Sequence, residues 1–67
     1  MRTVEISLKN GKTYRGMCNG KIYGTKVYIN RPANGSIMVT ENGVTYESFR
    51  REIIVNKDDI KSVKYLD

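Results

Sequence analysis

Four Asn-Gly dipeptides divide this chain of 67 residues: Asn10-Gly11, Asn19-Gly20, Asn34-Gly35 and Asn42-Gly43. Asn and Gly tolerate the positive φ values of a two-residue type I′ turn, which makes the pair the strongest short hairpin signal a sequence can carry. The segments between them alternate. Val4, Ile6 and Leu8 are interleaved with Glu5, Ser7 and Lys9, the period of two that gives a strand one apolar and one polar face. Asn10-Gly11 is expected to form a type I′ turn, with Thr13 and Tyr14 opening the return strand. Gly16 then marks a bend or a close approach of another backbone.

Extended along the chain, the pattern predicts strands over residues 3–9, 12–18, 21–30, 36–41, 44–55 and 60–66. Gly24 should bend the third, with Val27 and Ile29 facing inward beyond it. Arg31-Pro32 should end that strand, because proline brings no amide donor to a ladder. Arg50-Arg51-Glu52 breaks the apolar character of the long fifth segment, so a bulge or bend is expected there. Lys57-Asp58-Asp59 has the length of a single 3₁₀ turn. One all-β domain over residues 1–67 follows. So many short strands are expected to curl and close into a small, strongly bent antiparallel barrel of five to six strands, since closure removes exposed edges.

Composition limits what such a domain can do. With 39% hydrophobic residues the core is thin, and a domain this small buries only about 60% of its unfolded surface. Pairing with a second copy would help it, so a homo-oligomer is expected. Cys18 is the only cysteine and there is no histidine. That excludes an internal disulfide and Ser–His or Cys–His nucleophiles, and argues against a structural zinc site. Cys18 reads as a buried small hydrophobe. Of the seven carboxylates only Asp58 and Asp59 are adjacent, and Asp59 is better explained as a turn or short-helix cap than as half of an acid/base pair. The expectation is a protein without catalytic residues, metal or cofactor. The chain has neither a long apolar run nor a signal-peptide pattern at Met1-Arg2-Thr3-Val4-Glu5, so no membrane association and a cytoplasmic location are expected.

The spacing Leu8-x-x-Gly11-x-x-Tyr14-x-Gly16 resembles the first half of the Sm1 motif of Sm and Sm-like proteins. Residues 53–63, Ile-Ile-Val-Asn-Lys-Asp-Asp-Ile-Lys-Ser-Val, resemble the Sm2 pattern of a short strand, a tight turn and a final strand. The resemblance implies an SH3-like, strongly bent barrel that binds RNA as a ring. It touches both ends of the chain and skips the middle. Ile22 and Lys26 stand where the family carries the Asp and Asn that dock RNA bases, and Asn56-Lys57 replaces its Arg-Gly turn.

The formal net charge of +5 creates a positive field that favours polyanions. Five tyrosines against one phenylalanine and no tryptophan add rings suited to half-wet positions and base stacking. Alternation places Lys26, Tyr28 and Asn30 on the outer face of the third strand, Arg31 at its end, and Lys21 and Tyr23 at its start. The leading expectation is that Lys21, Tyr23, Lys26, Tyr28 and Arg31 hold RNA or single-stranded DNA, cations on phosphates and rings on bases. Tyr14 and Tyr65 read as core, and Arg50 and Arg51 as partners of Glu47 and Glu52. The alternative is a protein-interaction module, such as a small inhibitor or assembly factor from a phage or mobile element, since strand edges and tyrosine-rich faces also suit protein partners.

Overall fold

The computed structural model describes residues 2–20 and 24–66. Its elements are β1 (Arg2–Leu8), β2 (Thr13–Cys18), β3 (Lys26–Asn30), β4 (Ile37–Glu41), β5 (Val44–Ser48), β6 (Glu52–Asn56), the 3₁₀ turn η1 (Lys57–Asp59) and β7 (Ile60–Tyr65). All ladders between them are antiparallel. The seven strands form one sheet, so the all-β expectation holds and the count of five to six does not.

The sheet is not closed into a barrel. Its main path runs β5-β4-β2-β1-β7, and β3 branches from β2 to carry β6. Among the described residues, β5 pairs with β4 alone, β6 with β3 alone and β7 with β1 alone. Closure needs a ladder between two of those three ends, and none joins them. The resemblance to Sm-like and SH3-like barrels therefore fails at the level of architecture.

The reason lies in β2, which has two successive partners on one side. Thr13, Tyr14 and Arg15 pair with Thr40, Val39 and Met38, whereas Met17 pairs with Asn30. Gly16 sits at the fork. The two limbs that leave it are held apart by an insertion of unequal length. The β3–β6 ladder ends at Asn30↔Glu52 and the β4–β5 ladder starts at Ile37↔Ser48, leaving residues 31–36 opposite residues 49–51. Pro32 lies in the longer segment and can donate no ladder bond. Arg31 bridges the gap twice, its amide donating to the Arg51 carbonyl at 2.9 Å and its Nη1 to the Phe49 carbonyl at 2.9 Å. The bend expected at residues 50–52 is thus a full break between two strands.

Turn chemistry also differs from the sequence reading at one place. The first hairpin closes with the Leu8 amide on the Lys12 carbonyl at 2.8 Å and the Gly11 amide on the Leu8 carbonyl at 3.1 Å. Gly11 has φ 94° while Asn10 is not in the positive region, which is a turn with a glycine bulge rather than type I′. The type I′ geometry belongs to Asn42-Gly43, with φ 54° and 78°. A second irregularity separates Ser7 from Leu8. Ser7 pairs with Ser62 but Leu8 with Ile60, so Lys61 is the extra residue of a bulge.

One face of the sheet folds over the core. Val4, Ile6 and Leu8 of β1, Tyr14 and Cys18 of β2, Val27 and Ile29 of β3, Ile37 and Val39 of β4, and Val55 of β6 are buried. The alternation read from the sequence in the first and third strands is therefore correct, and Cys18 is buried as expected. These residues lie on β1, β2, β3, β4 and β6. The strands at the two ends of the main path, β5 and β7, supply none.

Candidate interaction surfaces

Among the described residues no basic, tyrosine-bearing face is evident. Lys21 and Tyr23 fall outside the described residues. Lys26 is exposed on β3, but its ammonium donates to Asn56 Oδ1 at 2.6 Å across the β3–β6 ladder. Arg31 spends its guanidinium on the Phe49 carbonyl. Tyr28 is half-buried and lines a hollow with Asn19, Asn30 and Glu52, the charged lining residue among those described being an acid. A lysine and an arginine each hydrogen-bonded to a neighbouring segment, and a tyrosine beside a carboxylate, show no basic stacking face among the described residues. Together with the open sheet, this overturns the reading of a barrel that binds RNA or single-stranded DNA through an Sm-like surface.

The other basic residues singled out in the sequence are distributed likewise. Lys12 pairs with Glu41 at 3.2 Å and Arg15 with Glu5 at 3.2 Å. The ammonium of Lys12 is held above its ordinary value, chiefly by its hydrogen bond to the Glu41 carboxylate. Among the described residues no ion pair joins Arg50 or Arg51 to Glu47 or Glu52.

What the structure does bring together lies at the two ends of the strand path. In the β4–β5 ladder Val39 faces Tyr46 and Glu41 faces Val44, so Val44 and Tyr46 share the face that carries the core. In the β1–β7 ladder Val4 faces Tyr65 and Ile6 faces Val63, so these two also point to the core side. The interior members of the pairs are sealed, Val39 at 2%, Val4 at 1% and Ile6 at 1% exposure. Their edge-strand partners are not: Val44 is 63% exposed, Tyr46 50%, Val63 46% and Tyr65 49%. Tyr65 is thus no core residue, contrary to the expectation, whereas Tyr14 is. Sequence reasoning missed these edges because alternation shows which face a residue takes, and only the strand order shows whether that face is covered.

Each uncovered edge overhangs a hollow. Beside β5 it is lined by Tyr14, Val39, Tyr46 and Ile53, with Lys12 and Arg50 among the polar lining residues. Beside β7 a cleft of about 240 Å³ is lined by Val4, Ile6, Cys18, Val27, Val63 and Tyr65, with Lys57 as its charged member. The guanidinium of Arg2 on β1 lies 4.2 Å over the Tyr65 ring, a cation–π contact between β1 and β7. No helix among the described residues is long and apolar enough to cross a membrane. The chain matches no protein-family model and no curated protein.

Proposed function

We propose that this chain is a non-enzymatic protein-interaction module that works through its open strand edges, as a small inhibitor or assembly factor would. The observation that carries the reading is the half-exposure of Val44, Tyr46, Val63 and Tyr65 on the core side of the two terminal strands. A sheet edge with unpaired amides and carbonyls is a template for a further strand, and soluble proteins normally blunt it. Here the edges combine that template with apolar side chains, the pairing of features on which strand addition by a partner relies.

The test is capture of partners on immobilised protein after exhaustive nuclease digestion. A stoichiometric protein partner should remain on the unmodified chain and on the Lys9→Ala control. It should be lost from the edge variants Tyr46→Asp or Val63→Asp, whose residues are already half in water and whose fold should survive. Retention by both edge variants, or loss of every partner on nuclease treatment, would sink the reading. A partner that proves to be a second copy of the chain would make the edges a self-association surface.

A further inference from the structure

We infer that the β7 edge is built to receive an extended, acidic strand of a partner protein, whose alternate apolar side chains drop into the cleft beside it. The inference rests on the interaction-module reading and assigns it to one edge and one ligand chemistry.

Backbone polarity comes first. The Leu66 amide donates to the Thr3 carbonyl at 3.0 Å. In an antiparallel ladder the residues that turn their amide and carbonyl toward one neighbour alternate with those that turn them away. Leu66 faces β1, and by that alternation Lys64 and Ser62 do so as well, which leaves Val63 and Tyr65 presenting their backbone groups to the open side. The same two residues carry their side chains on the core face. An added strand would therefore bond to Val63 and Tyr65 directly. The residues of that strand lying opposite them would share their face, because directly opposed residues in a ladder do. Beneath that face lies the apolar cleft of about 240 Å³. Positions opposite Val63 and Tyr65 are thus specified as apolar.

Charge fixes the intervening position. It lies opposite Lys64, on the outer face. The β1 neighbour of Lys64 is Glu5, whose carboxylate is engaged by Arg15 at 3.2 Å, and among the described residues Lys64 makes no ion pair. Lys61 stands out of register at the bulge, Lys57 lines the cleft, and Arg2 sits over Tyr65 at its rim. No acidic residue lines the cleft among the described residues. Lys61 and Lys64 on β7, with Lys57 in the turn that carries Asp58 and Asp59, leave this strand itself basic, which favours an acidic added strand over a basic one, chiefly by steering and discrimination. The ligand is a segment of the type apolar–acidic–apolar in extended form.

The experiment uses the full chain and two capped hexapeptides, one alternating valine with glutamate and one alternating valine with lysine, titrated by calorimetry. Light scattering on the protein alone checks whether a second copy already occupies the edge. The glutamate peptide should bind more tightly than the lysine peptide by about tenfold or more at low salt, with the gap narrowing as salt screens the edge. N-methylation of the valines should abolish binding, since it removes the donors that a new ladder needs. Val63→Asp should weaken the glutamate peptide by about tenfold or more, and Lys64→Glu, on the outer face and away from the core, should reverse the preference between peptides. Saturating glutamate peptide should also slow alkylation of Cys18, which lines the cleft. Equal binding of the two peptides, tolerance of N-methylation, an unchanged affinity in Val63→Asp, no binding of either peptide, or occupation of the edge by a second copy would each overturn the assignment. If the peptides fail while Tyr46→Asp, and not Val63→Asp, releases a captured partner, the interaction-module reading stands and only the β7 assignment falls.

Discussion

A Cβ added to Gly16 would lie 2.8 Å from Ile29 Cγ2 and 3.0 Å from the carbonyl oxygen of Asn30. This close approach of β3 to β2 is what lets β2 change partners within one strand. Thr13–Arg15 pair with β4 below the fork and Met17 pairs with Asn30 above it. The glycine is needed for space rather than for a left-handed backbone, since its φ is not among the positive values.

Gly16→Ala should therefore destabilise the fold. At an open site with compatible dihedrals the change would stabilise by about 0.4–1 kcal/mol through the unfolded chain. Here the methyl meets a fully buried isoleucine and a backbone oxygen, and overpacking of that kind costs about 1–3 kcal/mol. Urea unfolding of the variant should show a lower midpoint at unchanged slope. An unchanged or raised midpoint would mean that β3 can retreat from β2.

Two other glycines, both in Asn-Gly pairs, should respond in opposite ways. Gly43 has φ 78°, and a side chain there is strained by about 1–2 kcal/mol whatever the space around it. Gly35 lies outside the positive region, and its added Cβ would make an ordinary contact 3.7 Å from Pro32 Cβ. Gly43→Ala should lower the melting temperature, whereas Gly35→Ala should leave it unchanged or raise it slightly. The reverse order would show that the identity of the dipeptide, and not its backbone conformation, decides the cost.

These glycines also show how far the sequence could be read. Alternation and Asn-Gly spacing placed most of the strands, because side-chain parity is a local property of extended backbone; the exception is 44–55, which is two. Val4, Ile6, Val27 and Ile29 are buried as their positions imply. The same local signal could not tell the type I′ turn at Asn42-Gly43 from the bulged turn at Asn10-Gly11, since that choice depends on where the flanking ladder ends. It also could not reveal that residues 31–36 stand opposite residues 49–51, a long-range mismatch at which the expected strand 44–55 divides into β5 and β6. Reading a row of strands as a ring followed from counting them. Lys26 and Arg31 lie where charge and parity put them, but parity could not show that Asn56 and Phe49, from distant segments, accept hydrogen bonds from them.

The Lys12–Glu41 pair links the first hairpin region to the end of β4 and has a testable pH signature. The lysine is raised from its ordinary value of 10.5, first by its hydrogen bond to Glu41. A group whose folded value is raised contributes stability that is fully present below the unfolded value and is lost as pH rises through the folded one. The stability difference between the unmodified chain and Glu41→Gln should thus be constant from about pH 8 up to the ordinary lysine value of 10.5 and be lost as pH rises beyond it through the raised folded value. Both groups are solvent-accessible, so the difference should be small and should shrink with added salt. A gap that persists at high pH would assign the effect of Glu41 to something other than the Lys12 charge.

A pair of valines on the core side of the β4–β5 hairpin measures whether the β5 edge is bare in solution. Val39 on β4 is 2% exposed and Val44 on β5 is 63% exposed, although the ladder puts both on one face. Val39→Ala should cost about 1.5–3 kcal/mol, from lost burial and the cavity left behind. Val44→Ala removes the same atoms from a position already open to water and should cost a few tenths of a kcal/mol at most. Unfolding followed at two protein concentrations a hundredfold apart separates the possible occupants of that edge. If the edge is free until a different protein meets it, Val44→Ala stays near neutral at both concentrations. If a second copy covers it, stability rises with concentration by mass action, and the cost of Val44→Ala rises with it toward that of a buried valine.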